Sequence, residues 1–110
     1  MSYVIASVHT PHPEHRDALI ESMHRFGAAL QGQPGLMSVQ TLADAGTDRL
    51  VGLAIFESEE ACQRIIHLAR DAVADDPFDV WEAQPIEGFR LTTCDPTRCP
   101  VPDRRGSSPI

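Results

Sequence analysis

Residues 33–62 read QPGLMSVQTLADAGTDRLVGLAIFESEEAC, and the order of signals in this stretch decides the architecture. Pro34 and Gly35 spell a turn, after which residues 36–42 form a strand. Asp44, Ala45 and Gly46 supply hairpin chemistry before a further strand over residues 49–56. That second strand contains LVGLAIF, apolar at odd and even positions alike, so both faces of the sheet there must be removed from water. Ser58 then suits a helix N-cap, and Glu59 and Glu60 suit the positive end of a helix dipole. Cys62, Ile65, Ile66, Ala69 and Val73 recur as one apolar stripe, and this helix is predicted to end near Ala74, before the break at Asp75, Asp76 and Pro77.

Upstream, residues 3–9 (YVIASVH) are rich in strand formers, and Pro11 and Pro13 stop the strand because neither donates to a ladder. Pro13 also suits a first helical turn. Leu19, Met23, Phe26 and Leu30 then recur at helical spacing, predicting a helix that ends near Gln31 and Gly32. Downstream, residues 78–82 suit a short helical turn, and residues 86–93 (IEGFRLTT) a last strand. The order is βαββαβ, an α+β ferredoxin-like plan with a four-stranded antiparallel sheet and two helices on one face. Residues 1–93 make one domain with one core. Residues 94–110, with Pro96, Pro100, Pro102 and Pro109, read as a Pro-rich C-terminal tail.

Two helices cover one face of such a sheet, leaving Val51, Leu53 and Ile55 in need of another cover. A second copy of the same sheet, packed face to face about a two-fold axis, supplies it and gives a homodimeric barrel. Burying even ~500 Å² of apolar sheet per chain is worth about 12 kcal/mol before association costs.

Composition removes several function classes. The net charge is −7, so the surface repels phosphate backbones and nucleic acid is not an expected partner. The opening MSYVIASV has no basic start, and its apolar run is too short for a signal peptide or membrane span; the expected location is cytoplasmic. Cys62, Cys94 and Cys99 make an odd count with no second pair to complete a zinc site, so free thiols are expected. All nine basic residues are Arg, and without lysine there is no Schiff-base anchor for pyridoxal phosphate. No bound cofactor is expected.

The chain resembles the antibiotic biosynthesis monooxygenase (ABM) type of domain in the dimeric α/β-barrel superfamily. Three features carry the resemblance, which spans about residues 3–93. They are Pro34, Gly35 and Leu36 entering the second strand, the hairpin around Ala45, Gly46 and Thr47, and the run Phe56, Glu57, Ser58, Glu59, Glu60, Ala61 joining strand to helix. Such a resemblance implies a dimeric α/β barrel with a pocket between sheet and helices in each subunit. In some members it implies cofactor-independent oxygenation of aromatic polyketides, where the substrate anion itself reduces dioxygen; other members degrade haem. The polyketide-oxidising branch uses an Asn, a Trp and a Tyr where this chain has Gly52, Phe56 and Cys62, which are therefore the ligand-pocket positions. The haem-degrading branch uses a strand-one Asn and a helix-two Trp, where this chain offers Ala6 or Ser7, and Ile65.

Several side chains carry two readings. His9, at the end of the first strand, suits a general base toward a phenol or enolisable carbon, or a hydrogen-bonded rim or interface histidine. With His12 and His15 it gives H-x-x-H-x-x-H, but the spacing crosses a strand, a Pro-rich turn and a helix start, so no metal site is expected. Arg90 suits an anion clamp in catalysis, or pairing with an acid across the dimer. Trp81 suits an aromatic lid on the ligand pocket, or core packing. Cys62 lies near a helix N-terminus, which lowers a thiol pKa, yet in an apolar stripe, which favours a buried inert thiol.

Two functions follow from different classes. One is an ABM-like enzyme, such as a monooxygenase, acting without a cofactor on a hydrophobic, aromatic metabolite. The other is a non-catalytic dimeric metabolite-binding or regulatory module. A cavity of at least ~300 Å³ with His9, Arg90 or Trp81 converging on it favours the enzyme, and a filled core at Gly52 and Phe56 counts against it.

Overall fold

A computed structural model describes residues 2–93. The Pro-rich tail over residues 94–110, with Cys94 and Cys99, lies outside the described residues. The elements are β1 (Tyr3–His9), α1 (Arg16–Leu30), β2 (Leu36–Ala43), β3 (Leu50–Phe56), α2 (Glu59–Ala72), α3 (Phe78–Trp81) and β4 (Glu87–Thr92). The sheet order is β2-β3-β1-β4 with every pairing antiparallel, the ferredoxin-like plan expected. Among the described residues no helix is long and apolar enough to cross a membrane.

Local chemistry explains the boundaries. Helix α1 starts later than Pro13 because Pro13–His15 forms a 3-10 turn, and neither His12 nor His15 caps with its side chain. Helix α2 starts at its expected cap, with Ser58 Oγ accepting from the Ala61 amide at 3.1 Å. In the hairpin, Asp44 accepts from the Gly46 amide at 3.0 Å, the Thr47 hydroxyl at 2.7 Å and Arg49 at 3.1 Å, bonds that hold its carboxyl below the usual carboxylate range.

Strand β3 has the two apolar faces its sequence requires. Leu50, Ala54 and Phe56 are buried under the helices, while Val51, Leu53 and Ile55 alternate onto the other face and are half-buried. Register adds to that open face Val4, Ala6 and Val8 from β1, Leu42 from β2, and Phe89 and Leu91 from β4. Phe89 and Leu91 remain 44% and 46% exposed.

Under the helices the core divides in two. One cluster gathers Tyr3, Leu30, Ala54, Phe56, Ala61, Cys62, Ile65, Ile66 and Ala69 beneath α2. The other joins Leu19, Met23 and Leu50, with Phe78 and Trp81 packed against them. The turn into β2 is locked onto α2: the Glu57 amide donates to the Gly35 carbonyl at 2.8 Å, and Gly35 has φ of +94°. A Cβ on Gly35 would lie 2.6 Å from the Cβ of Ala61. Gly32 shares the positive φ, at +81°, but a Cβ there meets nothing within 4 Å.

Gly35→Ala therefore meets both backbone strain and a steric clash, and Gly32→Ala meets strain alone. The left-handed backbone costs a side chain about 1–2 kcal/mol, and each kcal/mol lowers the melting midpoint of a domain this size by about 4–8 °C. Thermal unfolding at matched protein concentration is expected to show the larger fall for Gly35→Ala. Equal falls would mean that the contact with Ala61 carries no weight.

Candidate functional site

Alternation along β1 sends Ile5, Ser7 and His9 to the helix-covered face, opposite Ala54, Gly52 and Leu50 of β3. Because Gly52 has no side chain and Ser7 a short one, the two core clusters do not close over this point. A cavity of about 240 Å³ remains, walled by residues of both clusters. Its lining is apolar apart from a few groups, chiefly Ser7, His9, Ser22 and Thr41; Ile5, Met23, Phe26, Val39 and Phe78 supply most of the wall.

His9 is 7% exposed, and both its ring nitrogens are engaged. Nδ1 lies 2.7 Å from Glu82 Oε2, and Nε2 lies 2.9 Å from Ser7 Oγ. Glu82 reaches this point because its backbone docks on the end of β1. The His12 amide donates to the Trp81 carbonyl at 2.8 Å, and the Ala83 amide donates to the Thr10 carbonyl at 2.6 Å. Its second oxygen accepts from the Thr10 amide at 3.0 Å. A carboxylate only accepts, so Nδ1 carries a proton; with the ring neutral, Nε2 is the acceptor and Ser7 donates to it. The result is a hydrogen-bonded chain from Glu82 through His9 to Ser7, ending at an apolar cavity. The low-dielectric surroundings strengthen each link, and Nε2 is a base held in one orientation.

A second polar cluster secures the cavity from the helix side. Ser22, almost fully buried on the apolar face of α1, donates to Asp76 Oδ2 at 2.6 Å, and Arg25 donates to the same oxygen at 2.9 Å and to the Ala72 carbonyl at 3.3 Å. Asp76 thereby ties the connection after α2, which carries Val73, Phe78 and Ile86 of the cavity wall, back to α1. The Ser22 hydroxyl holds the Asp76 carboxyl below its ordinary value, and Arg25 adds to the effect against the opposing pull of desolvation.

The sequence-derived candidates divide. His9 and Gly52 line the cavity. Phe56 and Cys62 do not; both are buried in the α2 cluster, because the even positions of β3 beyond Ala54 run under α2. Burial pushes the Cys62 thiol up, opposing any activation by the helix N-terminus. Trp81 stands behind the wall, its ring meeting that of Phe78 edge-on at 5.7 Å between centroids; of these two, Phe78 is the one that faces the cavity. Arg90 sits opposite Ile5 on the edge strand β4, exposed and without a carboxylate in salt-bridge range among the described residues. Four residues of strand, ~13 Å, separate that position from His9, so the two do not form one site. Among the described residues no three His, Cys, Asp or Glu side chains gather as a metal site, and His12 is exposed.

Ser7, Ser22, Phe78 and Glu82 were not singled out as site residues from sequence. Ser7 was legible in principle, since Ser-x-His on a strand puts both side chains on one face. Glu82 was not, because it meets His9 across 73 positions through a backbone docking that no local pattern announces.

Neither a protein-family model nor a curated protein matches the chain. Solved structures do match. Rv0793 from Mycobacterium tuberculosis superposes with a TM-score of 0.74 at 16% identity, over 89% of this chain and 100% of that one. An antibiotic biosynthesis monooxygenase gives 0.68 at 15% identity, over 86% and 100%. SnoaB, a cofactor-independent oxygenase from Streptomyces nogalater, gives 0.62 at 18% identity, over 93% and 98%. The ferredoxin-like subunit fold expected from the resemblance to ABM-type domains is thus the fold the chain has.

The Asp76 cluster predicts a pH dependence of stability. A carboxyl whose folded pKa lies below its ordinary 3.8 stabilises the fold fully above that value, and loses the contribution as pH falls through the lower folded value. Asp76→Asn is expected to melt several degrees below wild type at pH 7, with a gap that stays constant in the neutral range and narrows progressively as pH falls below 3.8. Melting curves across that range test this, and a gap that persists in acid would assign the effect to packing instead.

Proposed function

We propose that the chain is a homodimeric ABM-type enzyme that binds a small hydrophobic, aromatic metabolite in the cavity and acts without a cofactor, with His9 as its general base. The carrying observation is the buried Glu82, His9, Ser7 chain opening on an otherwise apolar cavity. Glu82 fixes the imidazole tautomer and offsets the positive charge that His9 gains on taking a proton. Apolar walls orient the substrate and exclude water. In the oxygenase form of the reaction, the substrate anion supplies all four electrons to dioxygen; one oxygen atom enters the substrate and the other leaves as water. The shared fold with a protein named a cofactor-independent oxygenase supports this form.

The dimer is supported by the open face. Val51, Leu53 and Ile55 of β3 and Phe89 and Leu91 of β4 share one apolar face with β1 between them, and a two-fold partner presents the same residues in return. A contact burying about 500 Å² from each chain would reach the ~1,000 Å² at which a biological interface is expected.

A second reading has its own observation. The cavity of about 240 Å³ falls below the ~300 Å³ expected of an enzyme pocket, and Arg90 and Trp81 do not converge on it. This favours a binding module for a small metabolite over catalysis on a large one.

Oxygen uptake with a panel of phenols and enolisable aromatic ketones separates the two. Catalysis predicts turnover that falls about 10²- to 10⁴-fold in His9→Ala. Saturable binding without turnover across the panel would replace the enzyme by the binding module. In solution at micromolar concentration, the mass of the wild type is expected to be that of a dimer, and that of Phe89→Glu a monomer. A well-folded wild-type monomer would overturn the sheet-to-sheet assembly.

A further inference from the structure

The polar groups around the cavity differ in what they have left to offer a ligand. Ser22 spends its proton on Asp76 at 2.6 Å. Both nitrogens of His9 are occupied, one by Glu82 and the other by Ser7. With the imidazole neutral, Ser7 donates its single proton to Nε2, and a serine oxygen accepts two hydrogen bonds besides. Ser7 Oγ therefore faces the cavity as an acceptor with no proton to give. It matches a ligand that brings an O–H of its own.

Gly52 makes this presentation possible. It sits directly across from Ser7 in the sheet register, and a Cβ built on it would approach Ser7 Oγ to 2.9 Å and the Met23 methyl to 3.4 Å. Any larger residue fills the space from which a ligand reaches the hydroxyl. On the other side of Gly52 stands Thr41, so a hydroxyl flanks the open position on each neighbouring strand.

Volume limits the ligand. An apolar cavity of about 150 Å³ holds benzene, and drug-sized ligands need about 300 Å³ or more. At about 240 Å³ the space suits one substituted ring or two fused rings.

We infer that the Ser7 and Gly52 wall recognises the acidic hydroxyl of a one- or two-ring hydroxyarene or enol, with Ser7 relaying the proton to His9. The inference rests on His9 as base and adds the ligand class and the residue that meets it. In the relay, the ligand O–H bond breaks toward Ser7 Oγ as the Ser7 O–H bond breaks toward His9 Nε2. The products are a ligand anion and an imidazolium, and the Glu82 carboxylate stays ionised. Ser7 then faces the anion with a proton, donating to the charge it helped create.

Affinities of the full chain for 2-naphthol and for 2-methoxynaphthalene, which has the same rings without the donor, test this at a pH where free naphthol is neutral. The wild type is expected to prefer 2-naphthol by about tenfold, the worth of one hydrogen bond to a buried acceptor. Ser7→Ala and Gly52→Ala are expected to bring that ratio close to one. His9→Phe does the same, because Ser7 is then free to donate to the ether oxygen. Since each ratio compares two ligands on one protein sample, partial unfolding of a variant cancels. If Ser7→Ala keeps the preference while His9→Phe loses it, the ligand addresses His9 directly; the relay is overturned and the base stands. Preference retained in both variants removes His9 from the site, overturning relay and base together. Equal binding of the two ligands by the wild type overturns the acceptor assignment. Three fused rings, as in 2-hydroxyanthracene, are expected to bind at least tenfold more weakly than 2-naphthol, and tighter binding overturns the size limit.

Discussion

Strand β3 is apolar on both sides, and a strand of that kind has to be covered twice. The helices cover Leu50, Ala54 and Phe56, drawing α1 and α2 onto one face and fixing the core. The other face holds Val51, Leu53 and Ile55 beside apolar residues of β1, with Leu42 of β2 and Phe89 and Leu91 of β4 farther out, so the surface is built by all four strands together. A one-residue slip in any of these pairings would exchange the two faces, which is why register is strongly specified here. The proposed dimer answers the same constraint that orders the sheet.

The cavity is a local exception to that packing. Midway along the helix-covered face of β3, Gly52 contributes no side chain, and the residues on either side in the sheet, Ser7 and Thr41, are small. A bulky side chain at any of the three would join the two clusters into one continuous core. Small residues in a row across the sheet instead leave a gap, and Ser7 gives that gap a polar wall. Gly52 thus offers no polar group of its own and leaves that of Ser7 on the neighbouring strand open to the gap.

How much was legible in the sequence follows from the range of the interactions. The hairpin at Asp44, the Ser58 cap, the turn at Gly35 and the helix stripes rest on residues a few positions apart, and their periodicity announces them. The 3-10 turn at Pro13–His15 shifted the start of α1 because the capping competence of His12 and His15 is weaker than the proline signal suggests. The site was harder. His9 and Gly52 face the cavity, but Phe56 and Cys62 belong to the core, and Trp81 stands one layer behind Phe78. Phe56 and Cys62 are candidates through the family resemblance and Trp81 as a lone aromatic after a chain break, and neither signal says which side chains reach the space.

Glu82 could not be found locally, and the reason bears on how the site works. The segment joining α2 to β4 is anchored at two polar points: Asp76 on Ser22 and Arg25 of α1, and Glu82 on His9 and Thr10 at the end of β1. Between these anchors it carries Phe78, and beyond the second it carries Ile86, both part of the cavity wall. One stretch of chain therefore supplies the wall and the group that orients the base. A displacement of this segment that opened the cavity would also withdraw the carboxylate from His9. In the proposed enzyme, closure over a ligand and alignment of His9 would therefore be the same event.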